Sequence, residues 1–355
     1  MPSPAELFSK SLPPVTTHSV TDDHRDKAES LWKSELANAT TSVSGLLGKL
    51  KLEQYIKHTD SQPDFRCLVT ESYLDKIEVG NIGDPLLLQV LPSTLENDFA
   101  TQENGTTDPV GDLDAQVTQG LLHKYHGRAL LINTGACAIH CRYCFRRAYP
   151  YQKSSCTSRT LNDALTYLND HTEIEEIILS GGDPLILDND KLSAIINKLE
   201  DIQHIQTLRI HTRIPVVLPN RITTGLLQLL QASRLQVVMV IHANHANELQ
   251  SNESAKLRLL HQAGIILLNQ SVLLKNVNDN TDALIALSKR LFECKTLPYY
   301  LHLLDPVKGT MHFKTNKISA QALIQKITAQ LPGYLVPKLV QEIAGSQSKT
   351  AIFHI

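Results

Sequence analysis

The sequence has no excess of positive charge and no long apolar run. Its 355 residues include 34 Lys and Arg side chains and 36 Asp and Glu side chains, so the net charge is −2. A nucleic acid or an anionic membrane surface usually selects a strongly basic partner. No stretch approaches the roughly 20 apolar residues that cross a bilayer. We therefore expect neither a nucleic acid nor a membrane as a partner.

A secretion signal and a disulfide framework are also missing. Residues 1–14 lack the basic and apolar stretches of a signal, which favours a cytoplasmic protein. There are only six cysteines, and three of them lie within eight residues, at positions 137, 141 and 144. In a reducing compartment such bunching is typical of metal binding or catalysis. The hydrophobic fraction of 42% excludes wholesale disorder.

The pattern of apolar residues divides the chain into three parts. Apolar residues at helical spacing between positions 20 and 57 predict two or three amphipathic helices. Residues 94–118 are rich in Asp, Asn, Gly and Thr, which is typical of an irregular connection. We therefore predict a mainly helical extension with a linker over residues 1–118 and a core over residues 119–330. Residues 331–355 then add one extended segment and a loop.

In the predicted core, short apolar runs alternate with amphipathic segments of helix length. After a longer first interval they recur about every 30 residues, which is the size of a βα unit with a parallel sheet. Six such units predict an α/β fold, a partial barrel with its active residues at the carboxyl ends of the strands. A doubly wound open sheet is the alternative, although no G-x-G-x-x-G motif supports it. The runs are Ala129–Ile132, Ile174–Leu179, Thr207–His211, Gln236–Ile241, Ile265–Asn269 and Pro298–Leu304.

The clustered cysteines Cys137, Cys141 and Cys144 follow directly after the first of these runs. An ordinary ferredoxin cluster takes four cysteine ligands, so three thiolates leave one iron with an open position, as catalytic metal sites do. The alternative is a structural zinc site that is completed by His140 or by a distant cysteine. The spacing therefore predicts a metal centre and favours an iron–sulfur cluster over zinc.

Two glycines and an acid, Gly181, Gly182 and Asp183, follow the second run. Glycines let a ligand approach the backbone closely, and exposed backbone N–H and C=O groups can hold an amino acid moiety. An ordinary glycine-rich turn between a strand and a helix is the alternative interpretation.

Together with longer matching segments, these two motifs resemble the lysine 2,3-aminomutase family of the radical S-adenosylmethionine enzymes. Within that family the sequence is most similar to the branch that makes β-lysine for the modification of elongation factor P. The resemblance runs from about residue 84 to residue 350. It implies a partial (βα)6 barrel of the TIM type, a 4Fe-4S cluster, S-adenosylmethionine and pyridoxal 5′-phosphate. The matching segments are LLHKYHGRALLINTGACAIHCRYCFRR, IILSGGDPL, LRIHTRIPVVLPNRIT, NHANE, LLNQSVLLKNVND and GYLVPK.

The resemblance assigns the three clustered cysteines to a 4Fe-4S cluster, whose open iron binds the amino and carboxylate groups of S-adenosylmethionine. In the family, residues at the ends of later strands border the same cofactor. A lone histidine at a strand end is more often a hydrogen-bonded structural group. The implied contacts of S-adenosylmethionine in this sequence are Gly181, Gly182, Asp183, His242 and Gln270.

The resemblance also implies a site for pyridoxal phosphate. Lys349 lies where the family has its Schiff-base lysine, and the alternative is a solvated lysine near the end of the chain. Tyr125 and Arg128 match positions that contact the ring oxygen and the phosphate of this cofactor. A guanidinium suits a phosphate because its fork of N–H donors binds two oxygens at once. Lys124 is a weaker phosphate candidate.

Three further residues match the substrate contacts of the family. Arg146 matches the arginine that pairs with the α-carboxylate of the substrate, while Asp305 and Glu342 match the two carboxylates that hold its distal ammonium. Two anions directed at one point attract a lysine side chain and repel a glutamate. Capping of a local turn is the alternative for either acid.

The implied function is an isomerase that moves the α-amino group of L-lysine to the β-carbon. The implied partners are L-lysine, an external electron donor, and, functionally, elongation factor P with its lysyl ligase. Relatives that act on free lysine continue past the Schiff-base lysine, whereas six residues follow Lys349, which favours the elongation factor P branch. The alternatives are an aminomutase that serves another pathway or amino acid, and a non-catalytic zinc-binding adaptor.

Overall fold

The computed structural model describes residues 22–60, 63–98, 102–157 and 159–353. The ten strands in these ranges are β1 (Gln116–Thr118), β2 (Leu121–Tyr125), β3 (Arg128–Thr134), β4 (Glu176–Gly181), β5 (Thr207–Thr212), β6 (Gln236–Ile241), β7 (Ile266–Val272), β8 (Leu297–His302), β9 (Lys338–Gln341) and β10 (Thr350–Ala351). They form one sheet in the order β1 to β10. Strands β3 to β9 are parallel. Antiparallel pairs extend the sheet at both edges.

A helix joins each pair of neighbouring parallel strands. The six predicted runs coincide with β3 to β8, and the extended segment predicted after residue 331 is β9, which lies parallel to β8. A doubly wound sheet reverses its strand order at a switch point, so the unbroken order excludes that alternative. The joining helices are Thr160–Asp170, Asn189–Glu200, Thr224–Ala232, Ser251–Gln262, Thr281–Glu293 and Lys317–Thr328, and one-turn helices lie at Tyr151–Ser154 and Ile214–Val217.

The predicted N-terminal extension is helical and packs onto the barrel. Its α-helices are Asp22–Ala37, Val43–Lys49 and Glu71–Leu74, and positions 20 and 21 lie outside the described residues. Trp32 is 2% exposed and belongs to the same buried cluster as Ile177 of β4. The guanidinium of Arg221 lies 4.9 Å from the centre of the Trp32 ring. Extension and barrel therefore share one hydrophobic core.

The segment predicted as an irregular connection, residues 94–118, contains more structure than expected. It begins with a 3-10 turn at Thr94–Asn97 and ends in the short strand β1. Between them, the N–H of Thr106 donates to the carbonyl of Pro306 over 2.8 Å. The connection therefore returns to the carboxyl end of β8, beside the mouth of the barrel.

Strand burial explains where the polar residues of the core collect. In β4 the run from Ile177 to Ser180 is buried, because helices cover the outer face and the barrel interior covers the inner face. Polar and charged side chains begin where the strands end, as at Asp183 after β4, Arg213 after β5 and His242 after β6. These ends face one cavity. None of the helices in the described ranges is long and apolar enough to span a bilayer.

Candidate active site

One cavity of about 500 Å³ lies at the carboxyl ends of the parallel strands. It brings together every residue that the sequence predicts for the site, because the carboxyl ends of parallel strands meet at the same end of a barrel. The predicted residues that line it are Tyr125, Arg128, Cys137, Cys141, Cys144, Arg146, Gly181, Gly182, Asp183, His242, Gln270, Asp305, Glu342 and Lys349.

The loop that carries the three cysteines is fastened by two arginines. The guanidinium of Arg142 is fully buried and forms an ion pair of 2.5 Å with Glu96. Arg147 contacts the same carboxylate over 2.7 Å. The backbone N–H of Arg142 donates to the carbonyl of Gln89 over 2.8 Å. The loop is therefore anchored to the N-terminal extension rather than only to the barrel.

The cysteine trio fits a cluster with three thiolate ligands. Cys137, Cys141 and Cys144 are unpaired and half-buried, and all three line the cavity. Burial, with the charge of Cys141, raises the pKa of Cys144 to about 11, so a bound cation is needed to keep such a thiol ionised. The other cysteines in the chain, Cys67, Cys156 and Cys294, lie outside the cavity lining.

A four-ligand zinc site fits less well. The ring Nδ1 of His140, the candidate fourth ligand, lies 2.9 Å from the carbonyl of Arg66, and the ring stacks on Phe65, so only its Nε2 is left to bind a metal. Within the described ranges, no group of three or more His, Cys, Asp or Glu side chains is close enough to hold a single metal ion. The three thiols line a cavity of about 500 Å³, which has room for a cluster larger than one ion.

The paired glycines after β4 allow close packing against the cysteine loop. A Cβ at Gly181, where φ is +128°, would lie 2.3 Å from the carbonyl oxygen of Thr134, and one at Gly182 would lie 2.2 Å from that of Ala136. Thr134 and Ala136 lead into Cys137. A side chain at either glycine would therefore displace the loop that carries the first cysteine. Contact of these glycines with S-adenosylmethionine stays a prediction.

Asp183 joins β4 to the end of β5. Its buried carboxylate accepts hydrogen bonds from the hydroxyl of Thr212 and from the backbone N–H of Arg213, each over 2.7 Å. Its own backbone N–H donates to the carbonyl of Ala136 over 2.7 Å. Burial raises the pKa of Asp183 to about 6, against the opposing effect of these hydrogen bonds. Asp183 therefore holds the start of the cysteine loop in place, and it also borders the cavity.

A chain of alternating charges includes the predicted carboxylate-binding residue Arg146. Its guanidinium contacts Asp112 over 2.7 Å and the hydroxyl of Ser180 over 3.0 Å. Asp112 also pairs with Lys124 over 2.5 Å, and Lys124 reaches Glu342 over 3.2 Å. Lys124, a weak phosphate candidate, thus contacts two carboxylates. Sequence reasoning missed Asp112, because nothing distinguishes it from the other acids of residues 94–118.

The three charged residues Lys349, Glu342 and Asp305 form the most polarised part of the cavity. The ammonium of Lys349 bonds directly to the carboxylate of Glu342. Burial opposes ionisation of Glu342, but the charges of Lys349 and Lys124 prevail and lower its pKa to about 2. Burial and the neighbouring Glu342 charge raise the pKa of Asp305 to about 7. The Oδ1 atom of Asp305 is buried and has no hydrogen-bond partner within the described residues.

Arg128 and Tyr125 lie together at the turn between β2 and β3. The guanidinium of Arg128 is 4.8 Å from the centre of the Tyr125 ring and forms no ion pair with any described residue. Burial and the Glu342 charge raise the pKa of Tyr125 well above its ordinary value. Sequence reasoning missed two neighbours in the cavity lining, His211 and His302, whose pKa values burial lowers.

His242 is a structural group that also borders the cavity. Its Nε2 lies 2.8 Å from the hydroxyl of Tyr143, and the two rings stack with centres 5.6 Å apart. Burial and the charge of Arg213 lower the pKa of His242 to about 3, so the ring is neutral at physiological pH. Gln270 lines the same part of the cavity from within β7. Contact of His242 or Gln270 with S-adenosylmethionine remains a prediction.

Comparison with known proteins agrees with this geometry. The model of the Radical SAM superfamily matches residues 131–287. The chain is 44% identical over 326 residues to the L-lysine 2,3-aminomutase of Haemophilus influenzae, covering 91% of this chain and 96% of that protein. It is 42% identical over 324 residues to the L-lysine 2,3-aminomutase of Escherichia coli, covering 90% of this chain and 94% of that protein. The chain belongs to the lysine 2,3-aminomutase family.

A more distant relative supports the same family. The chain is 33% identical over 330 residues to the L-lysine 2,3-aminomutase of Acetoanaerobium sticklandii, covering 90% of this chain and 78% of that protein. The chain is therefore an isomerase, and the interpretation as a non-catalytic adaptor is set aside. Membership of the radical SAM superfamily implies a 4Fe-4S cluster and S-adenosylmethionine as cofactors, as the cysteine trio predicts.

Proposed function

We propose that this enzyme converts L-α-lysine to β-lysine, with pyridoxal phosphate held at Lys349, and that the β-lysine serves the modification of elongation factor P. The similarity to two L-lysine 2,3-aminomutases supports the reaction and the substrate. The observation that carries the proposal is the buried Oδ1 of Asp305, which has no hydrogen-bond partner among residues 22–60, 63–98, 102–157 and 159–353. It lies near the Glu342 carboxylate in the cavity that the cysteines also line. An ammonium group would give this Asp305 oxygen the donor that it lacks, and a third carboxylate would be repelled.

The cavity offers residues that would hold pyridoxal phosphate. Lys349 lines it with its amine within reach of Glu342, and Arg128 contributes a guanidinium that forms no ion pair with any described residue. A phosphate supplies the two oxygens that such a fork binds best. The Tyr125 ring packs against that guanidinium, and its hydroxyl, which is bonded to Glu342, would be a further donor for the same cofactor. An amine, a guanidinium and a hydroxyl in one cavity are the groups that pyridoxal phosphate needs, and they support its assignment as a cofactor.

The residues of this chain bind and orient the substrate. Arg146, fixed by Asp112 and Ser180, presents a positioned guanidinium to the α-carboxylate, and Asp305 with Glu342 presents negative charge to the ε-ammonium. When bound, the cluster with S-adenosylmethionine supplies the radical, and pyridoxal phosphate supplies the carbonyl that carries the migrating amino group. Orientation matters because an error of about 1 Å at the reacting carbon costs on the order of 100-fold in rate.

Product analysis tests the reaction and the substrate. The protein is reconstituted anaerobically with iron and sulfide, given S-adenosylmethionine, pyridoxal phosphate and a chemical reductant, and offered lysine or glutamate. We expect β-lysine from lysine and no product from glutamate. Absence of β-lysine from a preparation with full iron and pyridoxal content would refute the proposed reaction.

The fate of the product needs a separate experiment. Elongation factor P from a strain that lacks this enzyme is weighed by mass spectrometry, with and without β-lysine in the growth medium. We expect the factor to lose the mass of one lysyl group and to regain it when β-lysine is supplied. An unchanged mass in the deletion strain would assign the product to another pathway.

A further inference from the structure

A buried arginine touches one cysteine of the trio and not the other two. Arg213 follows β5 and is 6% exposed, and its Nη1 lies 2.7 Å from the sulfur of Cys141. Among the described residues, no side chain donates a comparable hydrogen bond to the sulfur of Cys137 or Cys144. The environment of the three thiolates is therefore asymmetric before any cofactor binds.

The guanidinium of Arg213 is held in place from several directions. Its Nη2 contacts the carboxylate of Glu248 and the amide oxygen of Gln89, each over 2.8 Å. The rings of Tyr73 and Tyr143 lie 5.3 and 5.7 Å from its central carbon. The orientation that brings Nη1 to the sulfur is therefore fixed by the protein.

Glu248 is itself buried and bound. It is 0% exposed, and it accepts hydrogen bonds from the backbone N–H groups of Asn244 and His245 over 2.8 and 3.0 Å. Although burial opposes ionisation, the charge of Arg213 prevails and lowers the pKa of Glu248. The carboxylate stays ionised and anchors the guanidinium at the end of β5.

Stability alone does not explain this arrangement. Arg213 and Glu248 lose their hydration when they are buried. Apolar residues of similar volume in place of such an ion pair often leave a protein equally stable or more stable. Hydrogen bonds from outer residues to the sulfurs of an iron–sulfur cluster are a recognised means of tuning its reduction potential. An N–H that points at one ligand sulfur favours the reduced cluster, because that state carries the additional negative charge.

We propose that Arg213 is a positioning residue that raises the reduction potential of the cluster through its contact with the sulfur of Cys141, with Glu248 and Gln89 fixing its orientation. This inference rests on the cluster alone. It does not depend on pyridoxal phosphate, on lysine or on the fate of the product, so its failure and the failure of the proposed function are distinguishable.

The test is a redox titration of the reconstituted cluster in the absence of substrate, followed by electron paramagnetic resonance. The variants are Arg213→Gln, which removes the charge, and Arg213→Lys, which keeps the charge without the guanidinium fork. Arg221→Lys is the matched control, because Arg221 is fully buried and donates to the carbonyls of Leu185 and Leu187, away from the cysteines. Iron content is measured for every sample.

At a fixed potential, we expect Arg213→Gln to lower the ratio of reduced to oxidised cluster about tenfold, which is a shift of about 59 mV for one electron. We expect a shift in the same direction and about threefold for Arg213→Lys, and none for Arg221→Lys. An unchanged potential in either Arg213 variant with full iron content would overturn the inference. Loss of iron from both variants would also overturn it and would assign Arg213 a purely structural role.

Discussion

Two groups of residues in one cavity satisfy their charges in different ways. In the cysteine group (Cys137, Cys141 and Cys144 with Arg213), the cationic side chain is fixed by other protein residues. In the lysine group (Lys349, Glu342 and Asp305 with Lys124), two lysines share the carboxylate of Glu342. A buried oxygen of Asp305 has no hydrogen-bond partner in the part of the chain that the structure describes. The cysteine group therefore has the hydrogen bonds of its charged side chain supplied by the protein, whereas in the lysine group one buried acceptor oxygen is still available to a ligand.

The largest effect is expected from breaking the cysteine group. Cys141→Ala leaves two thiolates, which hold a cubane too weakly, so iron content, the visible absorbance of the cluster and turnover should all be lost. Lys349→Ala should lose turnover and the visible absorbance of bound pyridoxal phosphate but keep full iron content. Metal analysis and visible spectra of both variants check this. A Cys141→Ala protein with wild-type iron content would contradict the assignment.

Removing the unpartnered acid should have the next largest effect. Asp305→Asn deletes the charge that the substrate ammonium neutralises, and we expect kcat/KM for lysine to fall about 100-fold, roughly 3 kcal/mol. Most of the loss should appear as a raised KM. Glu342→Gln is the comparison, and we expect a smaller loss because Lys124 already shares that carboxylate. Equal KM values in wild type and Asp305→Asn would show that the ammonium binds elsewhere.

A smaller effect is expected from the acid that supports Arg146. Asp112→Asn leaves Arg146 and Lys124 without their shared counter-charge, so the carboxylate-binding guanidinium loses its fixed orientation. We expect kcat/KM to fall about tenfold, roughly 1.4 kcal/mol. Asp114→Asn is the matched control, because Asp114 is an exposed acid of the same loop. Similar kcat/KM values for Asp112→Asn and Asp114→Asn would show that Asp112 does not position Arg146 for substrate binding.

The last effect concerns stability and its dependence on pH rather than catalysis. The folded-state pKa of Asp305 is about 7 against an ordinary value of 3.8, so the folded protein binds this proton more tightly than the unfolded chain. The stabilisation is fully present below about pH 4 and is lost as pH rises through 7. Asp305→Asn should therefore raise the free energy of unfolding by about 1–3 kcal/mol at pH 8 and hardly change it at pH 4.

Denaturant titrations of wild type and Asp305→Asn at several pH values check that prediction. Glu342 gives the opposite sign, because its folded-state pKa of about 2 lies below its ordinary 4.5. Its stabilisation is present above pH 4.5 and is lost as pH falls toward 2. A stability difference between wild type and Asp305→Asn that does not vary with pH would contradict the burial of an ionisable oxygen.

Much of the fold and the site could be predicted from the sequence, for a physical reason. Parallel strands that are buried on both faces must be continuously apolar, so six of them stand out, and their carboxyl ends must meet. Residues just past those ends, such as Asp183 and His242, therefore line one cavity. The contacts of Asp112 and Arg213 join segments that are far apart in the sequence, and no local pattern indicates such pairings. The same holds for Gly181, whose missing side chain makes room for a loop.

A deuterium label can be followed from the substrate to the nucleoside that the radical becomes. Lysine deuterated at its β-carbon is incubated anaerobically with the reconstituted enzyme, S-adenosylmethionine and pyridoxal phosphate, and the 5′-deoxyadenosine formed is analysed by mass spectrometry. We expect deuterium from lysine to appear in the deoxyadenosine and the β-lysine product to accompany it. Deoxyadenosine that contains only hydrogen, formed while lysine is bound and unchanged, would contradict the claim that both groups of the cavity act on one substrate.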